Sequence, residues 1–149
     1  MARPKGRAKG PPAGLVLDGS VTLAWTFEDE SDAYADAVLD RLAATRAVVP
    51  SLWPLEVANG LLMGERRRRS TEAQTIKWIA ALSALPIDVD GETNVHAWGE
   101  TLALARGHKL TAYDAAYLEL AQRRRLPLAT LDRALRAAAR DCGVALLGD

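Results

Sequence analysis

Four carboxylates in this chain sit among apolar neighbours, where acids seldom lie. Asp18 follows Leu15-Val16-Leu17, and Glu56 lies inside Leu52-Trp53-Pro54-Leu55-Glu56-Val57-Ala58. Asp114 lies inside Ala112-Tyr113-Asp114-Ala115-Ala116-Tyr117, and Asp132 follows Leu128-Ala129-Thr130-Leu131. Burying an unpaired carboxylate costs several kcal/mol, so each position calls for a cation, a hydrogen-bond donor or a metal. Singly, each has an ordinary explanation. Asp132 suits an N-cap, Asp114 suits the first turn of a helix, Asp18 before Gly19 suits a turn, and Glu56 suits an arginine partner. Together, four acids without a nearby lysine or histidine describe an oxygen-donor site for a hard cation, Mg²⁺ or Mn²⁺.

The elements that would position them alternate along the chain. Leu15–Leu17, Ala47–Val49, Pro86–Val89, Pro127–Leu131 and Val144–Leu147 are short apolar runs that predict strands. Between them, helical spacing predicts helices over Ser31–Thr45 (Ser31 as N-cap), Trp53–Arg68, a helix capped at Ser70 or Thr71, Thr93–Arg106 with Gly107 as C-cap, Ala112–Arg125 and Asp132–Asp141. Continuous rather than alternating apolar runs indicate strands buried on both faces. The expectation is a three-layer α/β fold, a central parallel sheet of four to five short strands flanked by helices. Asp18 and Asp132 then fall at the C-terminal ends of parallel strands, the edge where ligands gather in open α/β sheets.

Length and composition narrow the class. The 149 residues are one domain's worth, 49 % hydrophobic and 26 % charged, with no apolar run long enough to span a membrane. A single cysteine, Cys142, with only His96 and His108, excludes an internal disulfide and a Cys-rich zinc site. The net charge is zero, but residues 1–14 hold four basic residues and no acid, leaving −4 for the rest. That stretch, rich in Pro and Gly, reads as a disordered basic tail, and residues 15–149 as the domain. A nucleic-acid-binding arm and a start codon placed too early are both open readings of the tail. It has no apolar run of the secretory kind, so a cytoplasmic location is expected.

The segments LVLDGSV, PSLWPLEVANGL, LTAYDAAYLELA and PLATLDRALRAAA occur in the order and spacing of a PIN-domain ribonuclease. From about residue 15 to 147 the chain resembles a VapC-type toxin of a type II toxin–antitoxin pair. The resemblance implies a PIN-like fold in which Asp18, Glu56, Asp114 and Asp132 form an acidic quartet holding one or two divalent ions, with Asp18 and Asp114 as direct ligands. It implies that Ser20, Asn59 and Thr130 orient the quartet. Where some members carry one more acid beyond the last, this chain has Leu135 and Arg136. The implied activity is endonucleolytic hydrolysis of RNA, tRNA among the candidates, to a 5′-phosphate and a 3′-hydroxyl. The implied partners are a second copy of the chain and a VapB-type antitoxin that places a basic side chain among the carboxylates. Apolar faces of the helices near Ser31–Thr45 and Thr71–Leu85 are the expected dimer surface.

Contact with RNA requires cations at the rim. Arg66–Arg69 and Arg123–Arg125 are the two runs, and neighbours about 100° apart on a helix allow at most two contacts from each. Arg66, Arg69, Arg123 and Arg125 are the candidates, against the simpler reading that arginines late in a helix complement its dipole. Trp25, Trp53, Trp78 and Trp98 invite a base-stacking reading, but Trp53 and Trp78 share stripes with aliphatic residues and are expected in the core. Three other readings fit less well. Ser20 stands where a haloacid-dehalogenase-type phosphatase needs a second Asp, and a receiver domain needs an acidic pair where Asp18 stands alone. The third is a catalytically inactive PIN-like binding module, against which an intact quartet argues.

Overall fold

The computed structural model describes residues 11–27, 29 and 32–148. Residues 1–10 of the basic tail, and Ser31, lie outside these. Four strands form one parallel sheet in the order β3-β2-β1-β4: β1 (Ala13–Leu17), β2 (Arg46–Val49), β3 (Ile87–Val89) and β4 (Leu128–Ala129). β1 lies inside the sheet, with Val16 opposite Val48 on one side and Leu128 on the other. Leu15, Val16, Leu17, Val48, Val49, Leu128 and Ala129 are all essentially without solvent contact. Burial on both faces is why these strands read as unbroken apolar runs.

The strands are joined by α1 (Gly19–Thr26), α2 (Ala33–Arg41), α3 (Trp53–Arg66), α4 (Glu72–Ser83), α5 (Thr93–His96), α6 (Leu102–His108), α7 (Ala112–Arg124) and α8 (Arg133–Asp141). A π-helical segment, Ala97–Thr101, joins α5 to α6. The central helix is α7, in which every residue from Ala115 to Ala121 is buried. Among the described residues no helix is long and apolar enough to cross a membrane.

Several sequence expectations change in detail. β1 begins at Ala13, two residues into the stretch read as tail, and Ala13 pairs with Arg46. Asp18 and Gly19, read as a turn, instead begin a helix: Gly19–Thr26 is helical from its first residue. Gly, Ser, Val and Thr are poor helix formers, and packing overrides their propensity because Gly19, Val21, Thr22, Ala24 and Thr26 are all buried. Asp32, not Ser31, caps α2, its side chain accepting from the Ala35 N–H at 3.0 Å. Thr71 rather than Ser70 caps α4, with a reciprocal capping box to Gln74. Gly107 lies inside α6, which ends instead on Lys109 in the left-handed conformation (φ 54°). The run Val144–Leu147 makes a single bridge, Leu128 to Leu146, rather than a fifth strand. Trp53 and Trp78 pack as expected: Trp53 is buried, its indole N–H donating to the Thr22 hydroxyl at 3.1 Å, and Trp78 packs edge-on against Phe27. Trp98 is 93 % exposed.

The distance between Asp18 and Glu56 depends on how α1, which follows the first, packs on α3, which carries the second. Gly60 and Gly64, one turn apart on α3, admit Leu23 of α1 and Phe27 at its C-cap. A Cβ at Gly64 would stand 2.7 Å from the Phe27 ring and 2.9 Å from the Ser70 hydroxyl. That ring cannot yield, being gripped by the Arg69 guanidinium 4.4 Å from its centroid and by Trp78. Gly64→Ala gains about 1 kcal/mol of helix propensity but overpacks by roughly 1–3 kcal/mol. The expected outcome is a net loss of about 1 kcal/mol, read as a lower urea midpoint at unchanged slope.

Candidate active site

Asp18 occupies the N-cap position of α1, immediately beyond the end of β1, and is 5 % exposed. Its N–H continues the ladder to β4 by donating to the Ala129 carbonyl at 3.0 Å. Its Oδ2 accepts two hydrogen bonds of 2.7 Å, from the Ser20 and Thr130 hydroxyls. Each hydroxyl in turn accepts a backbone N–H from the turn after β4: Leu131 donates to Ser20 and Asp132 to Thr130, both at 3.0 Å. With an acceptor site of each hydroxyl taken, its proton is directed at Asp18. The ring joins β1, α1, β4 and the start of α8.

Asp132 caps α8, its Oδ1 accepting from the Leu135 N–H at 2.8 Å. Asp114 lies in the first turn of α7, where the Thr111 side chain accepts its N–H at 3.1 Å. The capping reading of Asp132 and the first-turn reading of Asp114 are thus both realised, and neither removes the side chain from the cluster. Glu56 lies in the first turn of α3 and accepts a 2.5 Å hydrogen bond from the Tyr117 hydroxyl. Tyr117 is fully buried and one turn beyond Asp114, so it ties α3 to α7 between two of the acids. The sequence reading used Tyr117 only as part of a motif. Its i+3 spacing from Asp114 was the available signal for a functional place.

The four acids feel one another. Burial pushes the Asp18 carboxyl above the usual carboxylate range, the hydroxyls of Ser20 and Thr130 work against it, and the charge of Asp132 adds to it. Glu56 is raised by burial, opposed by the Tyr117 hydrogen bond, and raised further by Asp18 and Asp114. Asp114 is raised by burial and then by Asp132 and Asp18. Tyr117 is held far above the ordinary tyrosine range, by burial first and then by Glu56. The groups acting on Asp18, Glu56 and Asp114 are hydroxyls, backbone N–H groups and the other acids. A set of hard oxygen donors with mutual repulsion fits Mg²⁺ or Mn²⁺. Among the described residues no three acidic, histidine or cysteine side chains are already drawn to ligand spacing. Asp18, Glu56 and Asp132 are each turned to a hydrogen-bond donor of the protein.

Asn59 departs from expectation. It is exposed and, among the described residues, hydrogen-bonds none of the four acids, because its place on α3 one turn beyond Glu56 faces solvent. The rim arginines depart further. Arg123 is gripped by Asp90 (2.7 and 3.1 Å), Glu119 (2.7 and 3.2 Å) and Glu92 (3.3 Å), and these hydrogen bonds push its already high pKa up. Burial pushes the Asp90 carboxyl up, but hydrogen bonds from Arg123 and Thr93 outweigh it and hold the group below its ordinary value. Arg69 pairs with Asp29 at 2.9 Å and covers Phe27. Arg66 and Arg125 are exposed at the ends of α3 and α7 remote from Glu56 and Asp114, roughly 15 Å along each helix at 1.5 Å per residue.

The raised acids have a consequence for stability. Their folded-state values exceed the unfolded ones, so the native state binds more protons than the unfolded chain as pH climbs from about 4. Stability of the metal-free protein therefore falls with rising pH through that window and levels off once the folded-state groups have ionised. Asp18→Asn removes the most deeply buried of the charges while keeping an acceptor for the two hydroxyls. In EDTA at pH 7.5 its unfolding midpoint is expected a few degrees above that of the parent, with the gap closing near pH 4, measured by scanning calorimetry at both pH values.

The PIN domain model matches residues 15–141. No curated protein sequence matches the chain. Among solved structures, PAE2754 from Pyrobaculum aerophilum is similar at 25 % identity and a TM-score of 0.62, over 85 % of this chain and 86 % of that one. A toxin–antitoxin complex from Klebsiella pneumoniae is similar at 18 % identity and a TM-score of 0.57, over 80 % and 87 % of the two chains. FitAcB from Neisseria gonorrhoeae shares 18 % identity at a TM-score of 0.50, over 89 % and 95 %. The two at 18 % identity speak to fold alone. The family match runs from within β1 to the last residue of α8 and takes in all four carboxylates, and on it the chain belongs to the PIN domain family.

Proposed function

We propose that this protein is a metal-dependent endoribonuclease and the toxin of a toxin–antitoxin pair. The observation that carries the reading is the convergence of four carboxylates: Asp18, Glu56 and Asp114 each feel the charge of other acids of the set, and Asp132 acts on both Asp18 and Asp114. PIN domains are generally nucleases. One of the similar structures is titled a toxin–antitoxin complex.

In this reading Asp18 and Asp114, with Glu56 and Asp132, hold one or two Mg²⁺ or Mn²⁺ ions. Bound there, the metal supplies a water of lowered pKa and positive charge for the leaving 3′-oxygen. Ser20 and Thr130 fix the direction in which Asp18 presents its lone pairs. Tyr117 occupies Oε1 of Glu56, leaving Oε2 to take the proton of the attacking water. Water oxygen bonds to phosphorus, the bond from phosphorus to the 3′-oxygen breaks, and that oxygen takes up a proton. The products are a 5′-phosphate and a 3′-hydroxyl. An antitoxin silences such a site by setting a basic side chain among the four acids, where it takes the place of the metal charge.

A second copy of the chain is the proposed occupant of the α4 face. Helix α4 buries none of its own residues, and Ile76 and Ile79 are 64 % and 42 % exposed. With Trp53, Pro54, Val57, Leu82, Leu85 and Ile87, Ile79 lines an apolar groove of about 240 Å³ beside them. Ile76→Glu is expected to turn a dimer into a monomer in light scattering without lowering the helical content.

The nuclease reading is tested with purified protein, total tRNA and structured RNA in Mg²⁺ or Mn²⁺. Discrete fragments are expected, lost in EDTA and reduced at least about 100-fold in Asp18→Asn/Asp114→Asn. End-mapping should find 5′-phosphates. Absence of cleavage by antitoxin-free protein that binds Mn²⁺ would favour an inactive binding module.

A further inference from the structure

RNA bound at four carboxylates needs a source of affinity that does not itself compete for them. A cation set among the acids would take the place of the metal, whereas an aromatic ring holds a nucleobase without any charge. Among the described residues, Tyr113 and Trp98 are the only Phe, Tyr or Trp side chains exposed to solvent, at 68 % and 93 %. Trp98 lies on the π-helical segment, which carries none of the four acids. Tyr113 is the residue before Asp114, in the first turn of α7.

The helix gives that ring its place. Tyr113 and Tyr117 are four residues apart, so they share one face of α7, one turn from each other. On that face the Tyr117 hydroxyl binds Glu56, and Asp114 beside it feels the charges of Asp132 and Asp18. Tyr113 therefore stands at the open end of the face that meets one candidate ligand, and next in sequence to another. Among the described residues its side chain has no hydrogen-bond, ion-pair or ring partner. A lone exposed tyrosine is ordinary on a protein surface, but one with an open ring beside the acids has the placing of a base platform. An anchor for a protein partner is set in a well-packed apolar patch, whereas Tyr113 is flanked by Thr111, Ala112 and Asp114.

We propose that Tyr113 is the platform on which an unpaired nucleobase next to the scissile phosphate stacks, which makes single-stranded RNA, in loops or tails, the substrate class of this site. This rests on the nuclease reading above and deepens it. A base inside a duplex has both faces covered by its neighbours, so paired RNA is a poor ligand until the strand is opened. Every base has a π-face, so the contact places a nucleotide without reading which one it is.

The test is equilibrium binding to full-length Asp18→Asn protein in Mg²⁺, a background expected not to cleave. The probes are a fluorescein-labelled oligoadenylate of about 12 nucleotides, the same ribose-phosphate chain without its bases, and a duplex of equal length. Adding Tyr113→Ala should weaken binding of the oligoadenylate about tenfold and leave the slope of log K against log salt unchanged, because no phosphate contact is lost. The chain without bases should bind parent and variant alike, and so should the duplex, which separates stacking from packing. Tyr113→Trp should bind at least as tightly as the parent, and Trp98→Ala should stay within about twofold of it. Unchanged affinity for the oligoadenylate in Tyr113→Ala overturns the platform, leaves the nuclease reading intact and favours a protein partner for the ring. An equal loss on the chain without bases overturns it too, as does failure of the oligoadenylate to bind when the parent protein cleaves RNA. If the protein binds none of the probes and its parent cleaves no RNA while remaining folded, the nuclease reading itself fails, and the platform with it.

Discussion

The structure is organised around a carboxylate buried where the central strand ends. Asp18 has lost almost all contact with water, and it is kept there by two hydroxyls whose own acceptor sites are filled by backbone N–H groups of the facing turn. A buried carboxylate without such donors would drive the strand end outward or take up a proton. With them, the site gains a fixed acceptor at the junction of four elements. The remaining acids are placed by devices of the same economy: a cap for Asp132, a first turn for Asp114, and a buried tyrosine for Glu56.

Two kinds of force therefore oppose each other at one edge of the sheet. The apolar packing of β1, α1, α3 and α7 brings the acids within electrostatic reach, and burial first, then mutual repulsion, raises three of their pKa values. Arg123 is drawn to other partners: it clamps the end of α7 to Asp90, just past β3, and Thr93 extends the clamp to the Ser51 N–H ahead of α3. That clamp ties together the two helices carrying Glu56 and Asp114.

Much of this was legible in the sequence. Unbroken apolar runs gave away the parallel sheet, since only strands covered on both faces can afford them. The four acids were conspicuous because their neighbours are apolar. What escaped was set by tertiary context. Helix α1 is written in residues with weak helical preference and forms because its faces are covered. Arg123 looks in sequence like any arginine near a helix end, and only the fold brings Asp90 to it across more than thirty residues. Tyr117 looks like a core aromatic, which it is, and nothing local discloses that its hydroxyl meets Glu56 sixty-one positions away.

Helix α4 has a well-made beginning and an unfinished side. The Thr71–Gln74 capping box anchors its first turn, while none of its residues is buried within the chain. Local opening free energy scales with what an element buries, so in an isolated chain α4 is a separable unit whose amides exchange with solvent long before those of α7. The same uncovered stripe makes it the natural point of entry for a protease. A partner that covered α4 would therefore slow its opening without touching any of the four acids.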